Sequence, residues 1–146
     1  MTVGLTADRT QSNTLRQQSI ERRAKVYSDF LLNVTAFQVS VAHCEEPLNQ
    51  KREADPGACD KARSDFTQAA GTAWAVDFAS YGSDVRDARK EIAAKMNTAY
   101  VNVEAVYSKV PGVNLNDGIF QTLDSDLKDL KEKFAGAARE DLTRGD

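Results

Sequence analysis

One histidine, two cysteines and three prolines in 146 residues leave little material for several common kinds of chemistry. The lone His43 cannot supply the two Glu-x-x-His motifs of a di-iron bundle, and the residue three before it is Ser40. There is no Cys-x-x-Cys-His, no Gly-x-Ser-x-Gly elbow, no phosphate-cradling glycine loop and no dinucleotide fingerprint. With only eight glycines beside the three prolines, a turn-rich β-sandwich or barrel is disfavoured. Long apolar runs are missing too. The most apolar stretch, residues 30–42, is interrupted by Asn33, Thr35, Gln38 and Ser40, and falls short of the roughly 20 apolar residues a spanning helix needs. No apolar core follows the first charges, as a secretory signal would require. The net charge of -3 excludes bulk attraction to nucleic acid.

What is present is a helical pattern. Hydrophobic residues make up 41% and charged residues 28%, a balance suited to one globular domain rather than a disordered chain. A first helix is expected over residues 11–44, with Ile20, Ala24, Tyr27, Phe30, Leu31, Val34, Phe37, Val41 and Cys44 at spacings of three and four. Pro47 is expected to end it, and residues 48–58 read as a loop. The second helix is expected over 58–81, with Ala62, Phe66, Ala69, Ala70, Ala73, Trp74 and Phe78 inward. Gly82 and Ser83 then break and recap the chain. The third spans 84–109 on Val85, Ala88, Ile92, Met96, Ala99, Val103, Val106 and Val110, ending at Pro111-Gly112. The fourth starts near Asn116 or Asp117 and places Ile119, Phe120, Leu123, Leu127, Leu130, Phe134, Ala138 and Leu142 on one face. Four amphipathic helices with mostly short connections predict an all-α, antiparallel four-helix bundle over residues 20–142. Residues 1–19 read as a basic, polar arm, either a helical extension or disordered, and 143–146 as a frayed end.

The net charge is a sum over unlike parts. Residues 1–26 carry five basic against two acidic residues, or +3, and the rest carries 14 against 20, or -6. Arg16, Arg22, Arg23 and Lys25 are therefore candidates for an interaction arm facing an acidic partner or anionic lipid. The arm lacks the aromatic interleaving of a single-strand nucleic-acid platform, so nucleic acid is not an expected partner. Cys44 ends the first helix and Cys59 opens the second, at the same end of a hairpin, and they are candidates for a disulfide. In a reducing cytosol they would remain thiols. A zinc site from His43, Cys44, Cys59 and Glu46 matches no finger spacing, and Met96 as a haem ligand sits in a core repeat. No catalytic residue, cofactor or metal is assigned. Asn33-Val34-Thr35 matches a glycosylation acceptor but lies mid-helix, and Arg144-Gly145-Asp146 resembles an adhesion tripeptide at the chain end.

The run from Glu21-Arg22-Arg23 through Tyr27 to Phe30-Leu31 resembles the opening of uncharacterised actinobacterial helical-bundle domains. The Gly82-Ser83-Asp84-Val85 turn and the terminal Ala137-Ala138-Arg139-Glu140-Asp141-Leu142 are similar to those proteins as well. The resemblance implies a helical domain, often with a membrane segment upstream, and implies no activity. The expected function is a non-enzymatic helical interaction or scaffold module. It would take a protein partner or a second copy, with a membrane surface as a further option through the arm. A small-molecule-sensing bundle using space beside Trp74 is the alternative. The expected location is the cytoplasm, or a membrane if an anchor precedes the chain.

Overall fold

The computed structural model describes residues 3–49, 56–107 and 119–144. Four helices follow in order: α1 (Val3–Asn49), α2 (Pro56–Ala79), α3 (Ser83–Tyr107) and α4 (Ile119–Thr143). Each packs on its neighbours in the chain, and α4 returns to α1, which closes an all-α, up-down-up-down four-helix bundle.

The buried stripe of α1 is Arg23, Tyr27, Phe30, Val34, Phe37, Val41 and Cys44, a continuous 3/4 repeat. Across from it α3 buries Val85, Ala88, Ile92, Met96, Ala99 and Val103, while α4 buries Leu123, Leu127, Phe134 and Ala138. Phe134 sits between Tyr27 and Phe30, its ring centroid 6.0 and 5.1 Å from theirs. Phe66 meets Phe37 edge-on at 5.6 Å and stacks on Tyr100 at 4.1 Å. Each such ring contributes about 1.5–3 kcal/mol by leaving water. Met96 fills space in this core, as its register implies.

Several helix boundaries differ from the sequence expectation: α1 already begins at Val3 and α2 ends at Ala79 rather than residue 81. The first helix does not stop before Pro47 but runs to Asn49. Pro47 lies in the final turn, where its missing N–H leaves only the carbonyl of His43 without its usual donor, and the helix ends two residues later. The second helix starts at Pro56, whose fixed φ and absent N–H suit the first helical position. The connections expected around residues 50–55 and 108–118, including Pro111-Gly112 and the start near Asn116, lie outside the described residues. So do the side chains of Val106, Val110, Ile119 and Phe120 and the last two residues.

The inward face of α2 also differs. Its buried residues are Cys59, Ala62, Ala69, Ala73 and Val76, with Ser80 after its end, and Phe66 is half-buried. Ala70, Trp74 and Phe78, expected inside, are exposed. On an alanine-rich helix two neighbouring 3/4 registers exist, one through positions 69, 73 and 76 and one through 70, 74 and 78. They lie about 100° apart. The small-residue register packs against α1 and α3, and the aromatic one faces water.

Candidate functional site

The bundle has a disulfide at one end and a polar cluster at the other. Cys44 and Cys59 are joined, with S–S 2.04 Å and Cα–Cα 4.6 Å, and both are buried. This links the end of α1 to the start of α2. It also uses both thiolates that a zinc site would need, and His43 beside it is exposed. Among the described residues, no group of three or more His, Cys, Asp or Glu is placed to hold a metal.

At the opposite end α1 passes the turn between α2 and α3 and continues. Between Val3 and Arg23 lie about 20 residues, or about 30 Å of helix. Residues 11–18 are all exposed. Gln17 donates to Glu21 at 3.1 Å along this stretch, a supporting i,i+4 pair. Arg16 and Arg22 lie exposed on the extension, and Lys25 pairs with Asp29 at 2.7 Å.

Arg23 is not part of an exposed arm, contrary to expectation. It is 3% exposed and forms the base of the extension. Its Nη1 donates to the Asp141 backbone carbonyl at 2.9 Å and to Asp141 Oδ2 at 3.2 Å, and its Nη2 donates to the Arg144 carbonyl at 3.2 Å. The Tyr81 ring covers the guanidinium face, 4.2 Å from Cζ to the centroid. The physical reason is register: position 23 falls four residues before Tyr27 on the buried stripe, so its side chain must go inward and find a counter-charge.

That counter-charge is Asp141, 1% exposed. Its Oδ1 accepts from the Gly82 N–H at 2.7 Å and the Tyr81 N–H at 3.1 Å, and its Oδ2 accepts from Arg23 and from the Tyr27 hydroxyl. One carboxylate thus ties together α1, the turn before α3 and the end of α4. Gly82 suits this close approach: a Cβ there would lie 3.3 Å from Asp141 Oδ1 and would push the flexible Arg144 side chain aside.

Burial opposes ionisation of Asp141. The bonds from Tyr27, Gly82 and Tyr81 and the charge of Arg23 outweigh it and hold the carboxyl below its ordinary range. Tyr27 moves the other way: burial first, then its bond to the Asp141 carboxylate, pushes the phenol well above its ordinary value. The cluster therefore holds a proton on Tyr27 and a charge on Asp141, both shut away from solvent. This arrangement braces the base of the extension.

Asp141, Tyr81 and Gly82 were not among the sequence candidates as a site. A signal existed: Asp141 follows Phe134 and Ala138 at positions seven and three later, on an apolar stripe, and Arg23 precedes Tyr27 and Phe30 by four and seven on α1. Opposite charges on two apolar stripes ask for one another. Trp74, the handle for a ligand-sensing reading, faces away from the helix interfaces. A shallow groove of about 320 Å³ runs between α1 and α4, lined by residues including Leu31, Leu32, Ala135 and Leu142. No described helix is long and apolar enough to cross a membrane. Comparison with protein families, curated proteins and solved structures finds no match.

Proposed function

We propose that this protein is a non-enzymatic docking module. Its bundle holds the extension of α1 out from the base as a ready-formed helix for a protein partner. The observation that carries this reading is the mismatch of lengths: α1 has 47 residues, while the other helices have 24 or 25. An isolated helix of this length is marginal in water because its first turn is costly to nucleate. Here the nucleus comes from the bundle, with Arg23 locked in the Asp141 cluster at the point of exit. A partner then meets a helix whose ordering cost is already partly met.

Charge supports a protein partner over a lipid surface. With Arg23 buried, the extension through residue 22 holds Arg9, Arg16 and Arg22 against Asp8 and Glu21, a net of only +1. That is far from the cluster of four to eight basic residues that anionic membranes select. The paired cysteines favour an oxidising setting over the cytoplasm expected from sequence.

Photocrosslinkers placed at the exposed positions Ser12 and Leu15, with Lys90 on α3 as control, test the reading in cells. The expected result is one discrete protein adduct from the extension positions, absent from Lys90 and competed by a peptide of residues 1–22. Equal labelling at Lys90, or co-sedimentation of the chain with phosphatidylserine vesicles that is lost on removing residues 1–19, overturns it.

A further inference from the structure

The outer face of α2 is unlike the outer faces of the helices beside it. Its exposed residues between positions 62 and 79 are Ser64, Thr67, Gln68, Ala70, Gly71, Trp74 and Phe78. None is charged, in a chain that is 28% charged. By contrast α4 exposes Asp124, Lys128, Asp129, Glu132, Lys133, Arg139 and Glu140. The charges flanking the α2 face on the α3 side are already paired, Asp77 with Arg89 at 2.5 Å and Arg63 with Glu104 at 2.5 Å.

Trp74 and Phe78 are 68% and 85% exposed. At roughly 200 Å² per ring they leave about 300 Å² of aromatic surface in water. That alone matches the largest apolar patch of a typical monomer, about 300–600 Å².

The face is also divided. Its aromatic half lies toward the C-terminus, and its other half, Ser64, Thr67 and Gly71, is small. These positions form one outer 3/4 stripe of α2: 64, 67, 71, 74 and 78. If a second α2 is laid antiparallel across the first, with the two-fold axis between residues 72 and 73, Trp74 falls opposite Gly71 and Phe78 opposite Thr67. Both rings then meet a small residue, the arrangement by which helices approach closely and interdigitate. A single patch that is its own complement is the requirement for a two-fold interface.

We propose that α2 is a homodimerisation face and that its occupant is a second copy of this chain. Two copies each carry -3 and repel elsewhere, and the uncharged α2 face is where they can approach. The rings supply about 600 Å² from the two copies. The small residues and flanking groups bring the total toward the roughly 1,200 Å² at the lower end of specific interfaces, which suits a weak, reversible dimer. The antiparallel pairing sends the two α1 extensions out at opposite ends, so dimerisation does not use them and stands apart from the docking role proposed above.

Sedimentation equilibrium of the full chain, read together with fluorescence, tests this. Trp74 is the sole tryptophan, so its emission reports on this face alone. The expected result is a rise of the average mass toward twice 16.0 kDa with concentration, between roughly 10 µM and 1 mM. Trp74 emission shifts to the blue in step. Gly71 has open space around a new Cβ, so G71K leaves the monomer fold intact. G71K should weaken association by more than about 30-fold, a change of about 2 kcal/mol, with an unchanged or higher unfolding midpoint. F78K should do the same, and removal of residues 1–19 should leave association unchanged. A wild-type chain that stays monomeric at about 1 mM overturns the proposal. So does a dimer that survives G71K, or one that forms without moving the Trp74 emission.

Discussion

The two ends of the bundle are closed by different means. At one end a single covalent bond, Cys44–Cys59, joins two helices that are already consecutive. At the other, Arg23, Tyr27, Tyr81, Gly82 and Asp141 join three segments far apart in the chain, with Arg23 and Asp141 separated by 118 positions. The disulfide acts largely on the unfolded chain, by shortening the loop it must close. The Asp141 cluster acts on the folded state, where each member's absence leaves another's charge or donor buried and unmet. The base of the projecting helix gets its rigidity from a network that forms only when the bundle is complete.

Breaking the cluster should cost most. D141A leaves Arg23 buried without its counter-charge, along with two backbone N–H donors. It is expected to destabilise the fold by about 3–5 kcal/mol in urea unfolding. The same carboxylate sets an acid limit. Its folded pKa lies below the ordinary 3.8, so its stabilisation is present above that value and lost as pH falls through the folded pKa. Unfolding midpoints measured from about pH 6 down to about pH 2 should fall steeply for the wild type and less steeply for D141N. Tyr27 adds an alkaline limit of opposite sign. Its raised pKa means that stabilisation is full below 10.0 and is lost as pH rises through the folded value.

Opening the other end should cost somewhat less. C44S/C59S removes a cross-link spanning 15 positions and is expected to lower stability by about 3 kcal/mol on the chain-entropy estimate. Unlike D141A, it should leave the acid dependence of the midpoint unchanged, and a pH series on both variants separates the two ends. Y27F removes one hydrogen bond to a carboxylate, worth about 1.5–3 kcal/mol, and should abolish the alkaline limit while keeping the fold. G82A is smaller, about 1 kcal/mol, since Arg144 can swing aside while Asp141 must yield slightly. Leu15→Ala on the extension should change the global midpoint by less than about 0.5 kcal/mol. A larger loss there would mean that the extension shares the bundle's cooperativity.

Periodicity made three of the four helix faces readable. Phe30, Val34 and Phe37 on α1, Ile92 and Met96 on α3, and Leu127 and Phe134 on α4 each stand out from polar neighbours. The α2 face was not readable, because Ala69, Ala70, Ala73 and Ala75 contribute almost equal apolar character in every direction. Trp74 and Phe78 therefore pulled the reading toward the wrong register. Arg23 was misplaced for a related reason: among Arg22, Arg23 and Lys25 nothing local marks one cation as buried. The mark is its alignment with Tyr27 and Phe30, together with an acid on the apolar stripe of a helix more than a hundred residues later.

From the amino-acid sequence came the described helices and most of the apolar residues that line α1, α3 and α4, because a 3.6-residue period is a local property. It also put Cys44 and Cys59 at one end of a hairpin, which spacing along two helices suffices to do. Which side of α2 faces water, which arginine goes inward, and the bracing of the long helix's exit by Asp141 were settled by packing in the assembled bundle. Those outcomes depend on which neighbour offers close packing or a counter-charge, and such neighbours come from distant parts of the chain.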